Sequence, residues 1–271
     1  MSDRTEAIDR REGRRLFGAD PETYDRARPG HAERLYEILV ERCGLGPRTS
    51  VVEVGAGTGQ ATRRLLELGA SPLVAIEPNA ELARYLTDSL GPRVEIRVMA
   101  LEDATLPESA FDLAVAASSF HWIDEAAGLA VLAGALRPGG WVALWWTGFG
   151  DRDRPDPFHE ATRELLASMP RSPVGSHRAG RMPSERGSPF WLEALAAAGF
   201  EEPSYERIPW SKTFDAKGIR EIFSTFSPFL YVDEHERTEL LDALERIARE
   251  DFGDRVEKPI VTMLYTARKP S

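Results

Sequence analysis

The sequence predicts an α/β protein with a parallel sheet and helices on both of its faces. Apolar runs of strand length alternate with helical patterns from about residue 50 to residue 146, as in a sheet whose strands are joined by helical crossovers. One of these runs ends in a glycine-rich turn, and the next ends in an acidic residue. Together these two features indicate a nucleotide-binding corner.

The first strand and its turn occupy residues 51–60, which read Val-Val-Glu-Val-Gly-Ala-Gly-Thr-Gly-Gln. Gly55, Gly57 and Gly59 stand at alternate positions, so the backbone can fold tightly and a ligand can approach main-chain N–H groups. A helix predicted over 60–68 directs its free N–H groups at the same place. The turn is therefore a candidate ligand cradle.

The spacing of this turn argues against two common phosphate-binding motifs. A dinucleotide fingerprint has a third glycine where this chain has Gln60, and a P-loop would continue with a Lys-Ser/Thr pair. Glu53, inside the strand, would repel a phosphate but attract an ammonium group. The second strand, 73–76, ends in Glu77, which can accept hydrogen bonds from both hydroxyls of a ribose. The corner thus favours a cationic adenosine derivative without a pyrophosphate.

Residues 53–59 (Glu-Val-Gly-Ala-Gly-Thr-Gly) and 77–79 (Glu-Pro-Asn) resemble the class I S-adenosylmethionine-dependent methyltransferases. Three later segments agree: a strand and loop over 94–107, another over 111–122, and a turn and fifth strand over 136–144. The resemblance implies a Rossmann-like sheet of seven strands in the order 3-2-1-4-5-7-6, with an antiparallel last strand and a helical lid or insertion. It also implies S-adenosyl-L-methionine as the methyl donor.

Within this family, the sequence resembles the branch that methylates small molecules. Residues 120–124 (Phe-His-Trp-Ile-Asp) and 24–29 (Tyr-Asp-Arg-Ala-Arg-Pro) are similar to trans-aconitate-type methyltransferases, which implies a carboxylate as an acceptor class. In-line methyl transfer depends on placement, alignment and exclusion of water, and requires no metal ion. Two other hypotheses stay open: a non-catalytic protein that binds the donor, and an NAD(P)-dependent oxidoreductase, which Glu53 and Gln60 disfavour.

The resemblance, carried over residue by residue, implies a donor-binding site. Its positions are Tyr24, Arg28, Glu53, Gly55, Gly57, Gly59, Gln60, Glu77, Pro78, Leu101, Glu102 and Ser118. Glu53 would meet the amino group of the donor, directly or through a water, and Glu77 would meet the ribose. The adenine would lie against Leu101 and Glu102, through the backbone or the side chains.

His121 is the predicted catalytic residue, because it follows the fourth strand, where the methyl group would emerge. Histidine titrates near neutrality, so it would serve as an acid, a base or an acceptor-orienting group. A hydrogen bond to the cofactor loop is the alternative role. The nearby aromatic residues would line the acceptor pocket, contact the sulfonium of the donor by cation–π attraction, or belong to the core. These are Trp122, Trp145, Trp146 and Phe149.

The chain divides into four predicted parts. Residues 1–42 form an N-terminal helical segment that covers the cofactor, 43–148 form the S-adenosylmethionine-binding core, and 149–199 form a lid with acceptor-side helices. Residues 200–271 supply strands that complete the sheet, with a helical insertion at 216–251. The lid contains polar residues that would grip an acidic acceptor or lie in a solvated loop. These are His159, His177, Arg178 and Arg181.

Periodicity and turn residues predict the individual elements of these parts. Helices are expected at 79–90, 123–136, 157–169 and 190–198, strands at 200–214 and 260–267, and two helices in the insertion, separated near Pro228, with proline- and glycine-rich loops at 152–157 and 170–189.

Composition limits the kinds of function. The 271 residues include 34 Lys and Arg against 44 Asp and Glu, which gives a formal charge of −10 and argues against a nucleic-acid surface. Cys43 is the only cysteine, so the sequence predicts neither a disulfide framework nor a cysteine metal site. There is no apolar run of the roughly 20 residues that a membrane span needs, and we expect a cytoplasmic protein. The sequence does not predict an oligomeric state.

Overall fold

The computed structural model describes residues 20–167, 169 and 189–271. A seven-stranded sheet lies at its centre in the order β3-β2-β1-β4-β5-β7-β6, which confirms the expected order. The strands are β1 Val51–Val54, β2 Leu73–Ile76, β3 Glu95–Arg97, β4 Phe111–Ala117, β5 Leu136–Phe149, β6 Glu201–Phe214 and β7 Val256–Arg268. The first five strands are parallel, and β7 runs antiparallel between β5 and β6.

Helices cover both faces of the sheet. They are α1 Pro21–Ala27, α2 Glu33–Cys43, α3 Gln60–Glu67, α4 Ala80–Leu90, α5 Glu125–Ala135, α6 Pro157–Thr162, α7 Pro189–Ala197, α8 Ala216–Ser224 and α9 Glu234–Glu250. Side-chain oxygens of Asn79 and Asp124 accept backbone N–H groups in the first turns of α4 and α5, so these residues fix where the two helices begin.

Alternation along β1 divides the core between the two faces. Val52 and Val54 pack into the cluster that contains α5 and α7, whereas Val51 packs into the cluster that contains α2 and α3. Successive side chains of a strand point to opposite faces, so Glu53 must lie on the α2 and α3 side. A third cluster joins α6, α8 and α9 beside the ends of β6 and β7.

Several elements differ in length from the sequence prediction, among them the fifth strand, which extends to Phe149. The helix expected over 157–169 ends at Thr162, whose hydroxyl donates to the Phe158 carbonyl at 2.7 Å and so competes with the main-chain ladder. Turns follow over 163–167. The last strand, expected over 260–267, extends to Val256–Arg268, because its first residues pair with β6 beyond the end of β5. Most of the predicted loop at 170–189 lies outside the described residues.

The sheet reverses its strand order between β1 and β4, since β2 lies on one side of β1 and β4 on the other. In open α/β sheets such a reversal opens a crevice at the carboxyl ends of the two strands. The glycine turn after β1 and the loop after β4 therefore face one another. Within the described ranges, we find no helix long and apolar enough to cross a membrane.

Candidate active site

A cavity of about 560 Å³ occupies this crevice, a volume typical of sites for small molecules. Its floor is formed by the loops after β1, β2, β3 and β4 and by the end of β5. Two segments from distant parts of the chain cover it. One comprises α1 and the residues between α1 and α2 and contributes Tyr24, Arg28 and His31, and the other follows α8 and contributes Phe226 and Pro228.

The three glycines of the turn are required for three different reasons. All have positive φ, at +68° for Gly55, +58° for Gly57 and +87° for Gly59. A Cβ on Gly55 would lie 2.4 Å from the Ser119 Cβ, and one on Gly59 would lie 2.3 Å from a methyl group of Leu86. A Cβ on Gly57 would meet nothing within 4 Å. Of the three, Gly57 alone has open space where a Cβ would stand, and it lines the cavity, so a ligand can approach its backbone closely.

Glu77 joins two of the loops that line the cavity. Its carboxylate accepts the Gly57 backbone N–H at 2.8 Å through one oxygen and the Asn79 backbone N–H at 2.9 Å through the other. The side chain is 5% exposed and lies at the cavity wall. Each oxygen has further lone pairs, so a carboxylate held in this way can still accept hydrogen bonds from a ligand.

Glu53 lies beneath the glycine turn and does not line the cavity. It is fully buried, and neither carboxyl oxygen has a hydrogen-bond partner among the described residues. The Thr62 hydroxyl is near enough to favour the ionised form but does not meet it with hydrogen-bond geometry. Burial raises the pKa of Glu53 to about 8. The turn therefore separates Glu53 from the cavity, so the predicted interaction between Glu53 and the amino group of the donor would have to act across the turn or through a water.

Gln60 ties the N-terminal segment to the glycine turn. Its side-chain amide donates to the Asp25 carbonyl at 3.2 Å and to the Arg28 carbonyl at 2.9 Å. Asp25 in turn forms an ion pair with Arg63 and accepts a hydrogen bond from Tyr85. These contacts hold α1 over the cavity, so the residue that replaces the third glycine of a dinucleotide fingerprint has a structural role here.

Arg28 is a cation inside this covered cavity. Its guanidinium donates to the Thr225 hydroxyl at 2.8 Å and to the Thr225 carbonyl at 2.9 Å. It also lies about 5 Å from the ring centroids of Tyr24, Phe149 and Phe226. Burial lowers its pKa, and no acidic side chain of the described ranges pairs with it. A buried cation without an acidic partner is suited to an anionic group of a ligand.

His121 is 3% exposed and lies at the cavity wall. Its Nδ1 accepts a hydrogen bond from the Trp146 indole N–H at 3.0 Å. An accepting Nδ1 assigns the proton of the neutral ring to Nε2. In this tautomer His121 is arranged as a hydrogen-bond donor, which favours orientation of an acceptor over removal of its proton.

The cavity brings together most of the predicted donor site. Its lining includes Tyr24, Arg28, Gly55, Gly57, Gln60, Glu77, Pro78, Leu101 and Ser118. Glu53 and Gly59 lie behind it, and the Glu102 side chain is exposed outside it. Trp122 and Phe149 line the cavity, whereas Trp145 and Trp146 are fully buried in the core.

Of the predicted lid residues that the structure describes, His159 does not line the cavity. His159 is exposed on α6, and His177, Arg178 and Arg181 lie outside the described residues. The acceptor-side role of 149–199 stays a prediction.

Sequence reasoning missed His31, Thr147 and Phe226, all of which line the cavity. The alternation of side chains along β5 could have indicated Thr147, because it places this residue on the same face of the sheet as Trp145. No sequence pattern marks His31 or Phe226, because both reach the cavity through contacts between distant segments.

Residues 51–140 match the methyltransferase domain family. The chain is 25% identical over 259 residues to an uncharacterised methyltransferase of Schizosaccharomyces pombe, covering 94% of this chain and 97% of the relative. It is 31% identical over 140 residues to the trans-aconitate 2-methyltransferase of Mycolicibacterium gilvum, covering 51% of this chain and 52% of the relative.

Among solved structures, a protein of Anaeromyxobacter dehalogenans that is described as a type II methyltransferase aligns with a TM-score of 0.64 at 21% identity. The alignment covers 90% of this chain and 98% of that one. This likeness concerns the fold. The matched domain, the full-length relative, the sheet order and the cavity agree with one another. The chain contains a methyltransferase domain over residues 51–140 and has the fold of the class I S-adenosylmethionine-dependent methyltransferases.

Proposed function

We propose that the chain transfers a methyl group from S-adenosylmethionine to a small molecule that carries a carboxylate. The observation that carries this proposal is the distribution of charge in the cavity. Of the described lining residues, Glu77 is the one acid, and it lies at the end where the ribose is expected. The rest of the lining presents Arg28, the imidazoles of His31 and His121 and the hydroxyl of Thr147. This lining favours anionic groups, the carboxylate of the donor as well as that of an acceptor, and it offers no carboxylate to act as a base.

The donor end has polar groups suited to each part of the donor. Glu77 would accept the ribose hydroxyls, the open backbone at Gly57 would lie against the donor, and Leu101 would pack against the adenine. Arg28 and Tyr24 would cover the amino-acid end, where the guanidinium suits the donor carboxylate. Glu53 supports a cationic ligand as well. Its carboxyl group lies behind the turn without a hydrogen-bond partner among the described residues, and a positive charge on a bound ligand would stabilise the ionised form of this carboxyl.

The reaction asks little acid–base chemistry of the protein. When bound, the donor supplies a methyl group on a sulfonium, and an acceptor oxygen forms the new C–O bond as the C–S bond breaks to leave a neutral thioether. An ionised carboxylate already carries the reacting lone pair, so no base is needed. The protein aligns the acceptor and excludes water, tasks suited to the cover formed by the α1–α2 segment and Phe226. His121 lies in the cavity wall with its Nε2 buried, and we infer that it orients the acceptor by donating Nε2–H after a small movement of the ring.

The partial relative from Mycolicibacterium gilvum, a trans-aconitate 2-methyltransferase by name, supports this acceptor class. The test is a mass-spectrometric screen of methyl transfer with three matched panels: carboxylic acids including trans-aconitate, primary amines and phenols. We expect methyl esters from the carboxylate panel, with much less product from Glu77→Ala. Transfer to amines or phenols alone would contradict the acceptor class while leaving the methyltransferase assignment in place.

A further inference from the structure

His31 and Thr147 form a polar pair in the cavity wall that the donor does not need. His31 lies on the short segment between α1 and α2, and Thr147 lies near the end of β5, 116 residues away in sequence. The His31 Nδ1 is 3.4 Å from the Thr147 hydroxyl oxygen. The edge of the imidazole also packs against Trp145, with ring centroids 5.5 Å apart and planes at 85°. The side chain is thus fixed in place by aromatic packing.

The contact between the two polar groups is loose. Hydrogen bonds of this kind are ordinarily about 2.7–3.0 Å long, so a 3.4 Å separation satisfies neither group well. Both residues line the cavity. A ligand oxygen placed between them would gain two hydrogen-bond partners that the protein itself uses only weakly.

The surroundings of His31 keep its ring neutral but would favour a proton if an anion arrived. Burial lowers the pKa of His31 to about 4. Tyr36 on α2 is 6.4 Å away between ring centroids, and burial raises the pKa of that phenol, so it stays neutral as well. Trp145 and Thr147 on β5 carry no charge, and Arg28, which precedes His31 by three residues, also lines the cavity. Within the described ranges no acid pairs with His31.

We propose that His31, together with Thr147, binds a second carboxylate of the acceptor and so selects for acids with more than one carboxylate. The proposal rests on the methyl transfer proposed above. A carboxylate beside His31 would stabilise the imidazolium and draw a proton onto the ring. A carboxylate engaged by an imidazolium is a weaker nucleophile, so the anchored group is not the one methylated. The reacting carboxylate would be the one that His121 orients.

The experiment measures proton uptake when an acid binds to the protein already saturated with S-adenosylhomocysteine. The probes are trans-aconitate and fumarate, with crotonate as a matched monocarboxylate. Calorimetry at pH 7 in two buffers of different ionisation enthalpy gives both affinity and the number of protons taken up. The variants are His31→Gln, which keeps a polar side chain that cannot titrate, and Thr147→Val. The matched control is His159→Gln, since His159 is exposed on α6.

We expect the polycarboxylates to bind wild type and His159→Gln with net proton uptake, and at least about tenfold more tightly than crotonate. His31→Gln should abolish the uptake and weaken polycarboxylate binding by about tenfold or more, with a smaller loss for Thr147→Val. Affinity for S-adenosylhomocysteine should stay within about twofold in every variant, which also shows that each is folded.

Three results would overturn the proposal: polycarboxylates that do not bind the loaded protein, binding without proton uptake, or an equal loss of donor affinity in His31→Gln. If wild type failed to bind S-adenosylhomocysteine, the donor site itself would be wrong, and that failure is recorded before any acid is added.

Discussion

The two ends of the cavity are built in different ways. At the donor end, polar groups are fixed by short contacts between neighbouring loops, as when Glu77 accepts from Gly57 and Asn79. At the opposite end, where we propose that the amino-acid part of the donor and the acceptor lie, the contacts join distant parts of the chain: Arg28 with Thr225 across 197 positions, and His31 with Thr147 across 116. The proposed ribose end is therefore encoded locally, whereas the opposite end depends on how α1, β5 and the segment after α8 pack together.

The largest expected effect concerns the acid buried behind the donor end. Burial raises the pKa of Glu53 from an ordinary 4.5 to about 8, so the folded protein keeps its proton at pH values where the unfolded chain has lost it. Stability should therefore fall as pH rises from about 4.5 and level off above about 8, by about 1.4 kcal/mol per unit of pKa shift that is realised. Thermal melts of Glu53→Gln should lack this decline, and exposed Glu102→Gln should keep it. A wild-type Tm that is flat over this range would contradict the burial argument.

Replacing Gly55 or Gly57 with alanine should distinguish an effect on stability from an effect on donor affinity. Gly55→Ala adds a Cβ 2.4 Å from Ser119 to an unfavourable φ, so we expect it to lose about 2–4 kcal/mol of stability. Gly57→Ala carries only the strain of its φ, about 1–2 kcal/mol, but places a methyl group where the donor approaches. Denaturant melts and titration with S-adenosylhomocysteine should show opposite rankings of the two variants. If the two variants lost equal amounts of stability and equal amounts of affinity, Gly55 and Gly57 would not have these separate roles.

Glu77→Ala should weaken S-adenosylhomocysteine binding by about 1–3 kcal/mol, because a charged hydrogen-bond acceptor is lost and two backbone N–H groups lose their partner. Calorimetry gives the affinity. Glu81→Ala is the matched control, since Glu81 is exposed on α4 and pairs with Arg84 on the same helix. Retention of wild-type affinity by Glu77→Ala would show that the ribose is bound elsewhere.

The smallest expected effect tests the link between the two ends. Gln60→Ala removes two hydrogen bonds to the carbonyls of Asp25 and Arg28 and should weaken donor binding by about 1 kcal/mol. Hydrogen exchange should increase over 24–31 and remain unchanged in β1. Unchanged exchange in the cover segment would mean that other contacts hold it.

Much of the donor end could be predicted from the sequence because its features are local. The Gly55–Gly57–Gly59 spacing and the position of Glu77 lie within one strand–turn–helix unit and the strand that follows. The family resemblance then supplied the strand order. The same reasoning could not tell that Gly55 is required by Ser119, a residue from another loop.

The acceptor end could not be predicted in this way. His31 carries no motif and acquires its role only when β5 brings Thr147 and Trp145 beside it. The family resemblance indicates Arg28 as a binding residue, but its contact with Thr225 depends on the position of the segment after α8. Tertiary contacts of this kind leave no periodic signal in either partner.

The most direct test of the donor site is a calorimetric titration of the full chain with S-adenosylhomocysteine, followed by the same titration with NADH. We predict saturable binding of one S-adenosylhomocysteine per chain and no binding of NADH, because Gln60, which ties the N-terminal segment to the turn, stands where a dinucleotide fingerprint has its third glycine. Binding of NADH, with none of S-adenosylhomocysteine, would contradict the assignment of this cavity to a methyl donor.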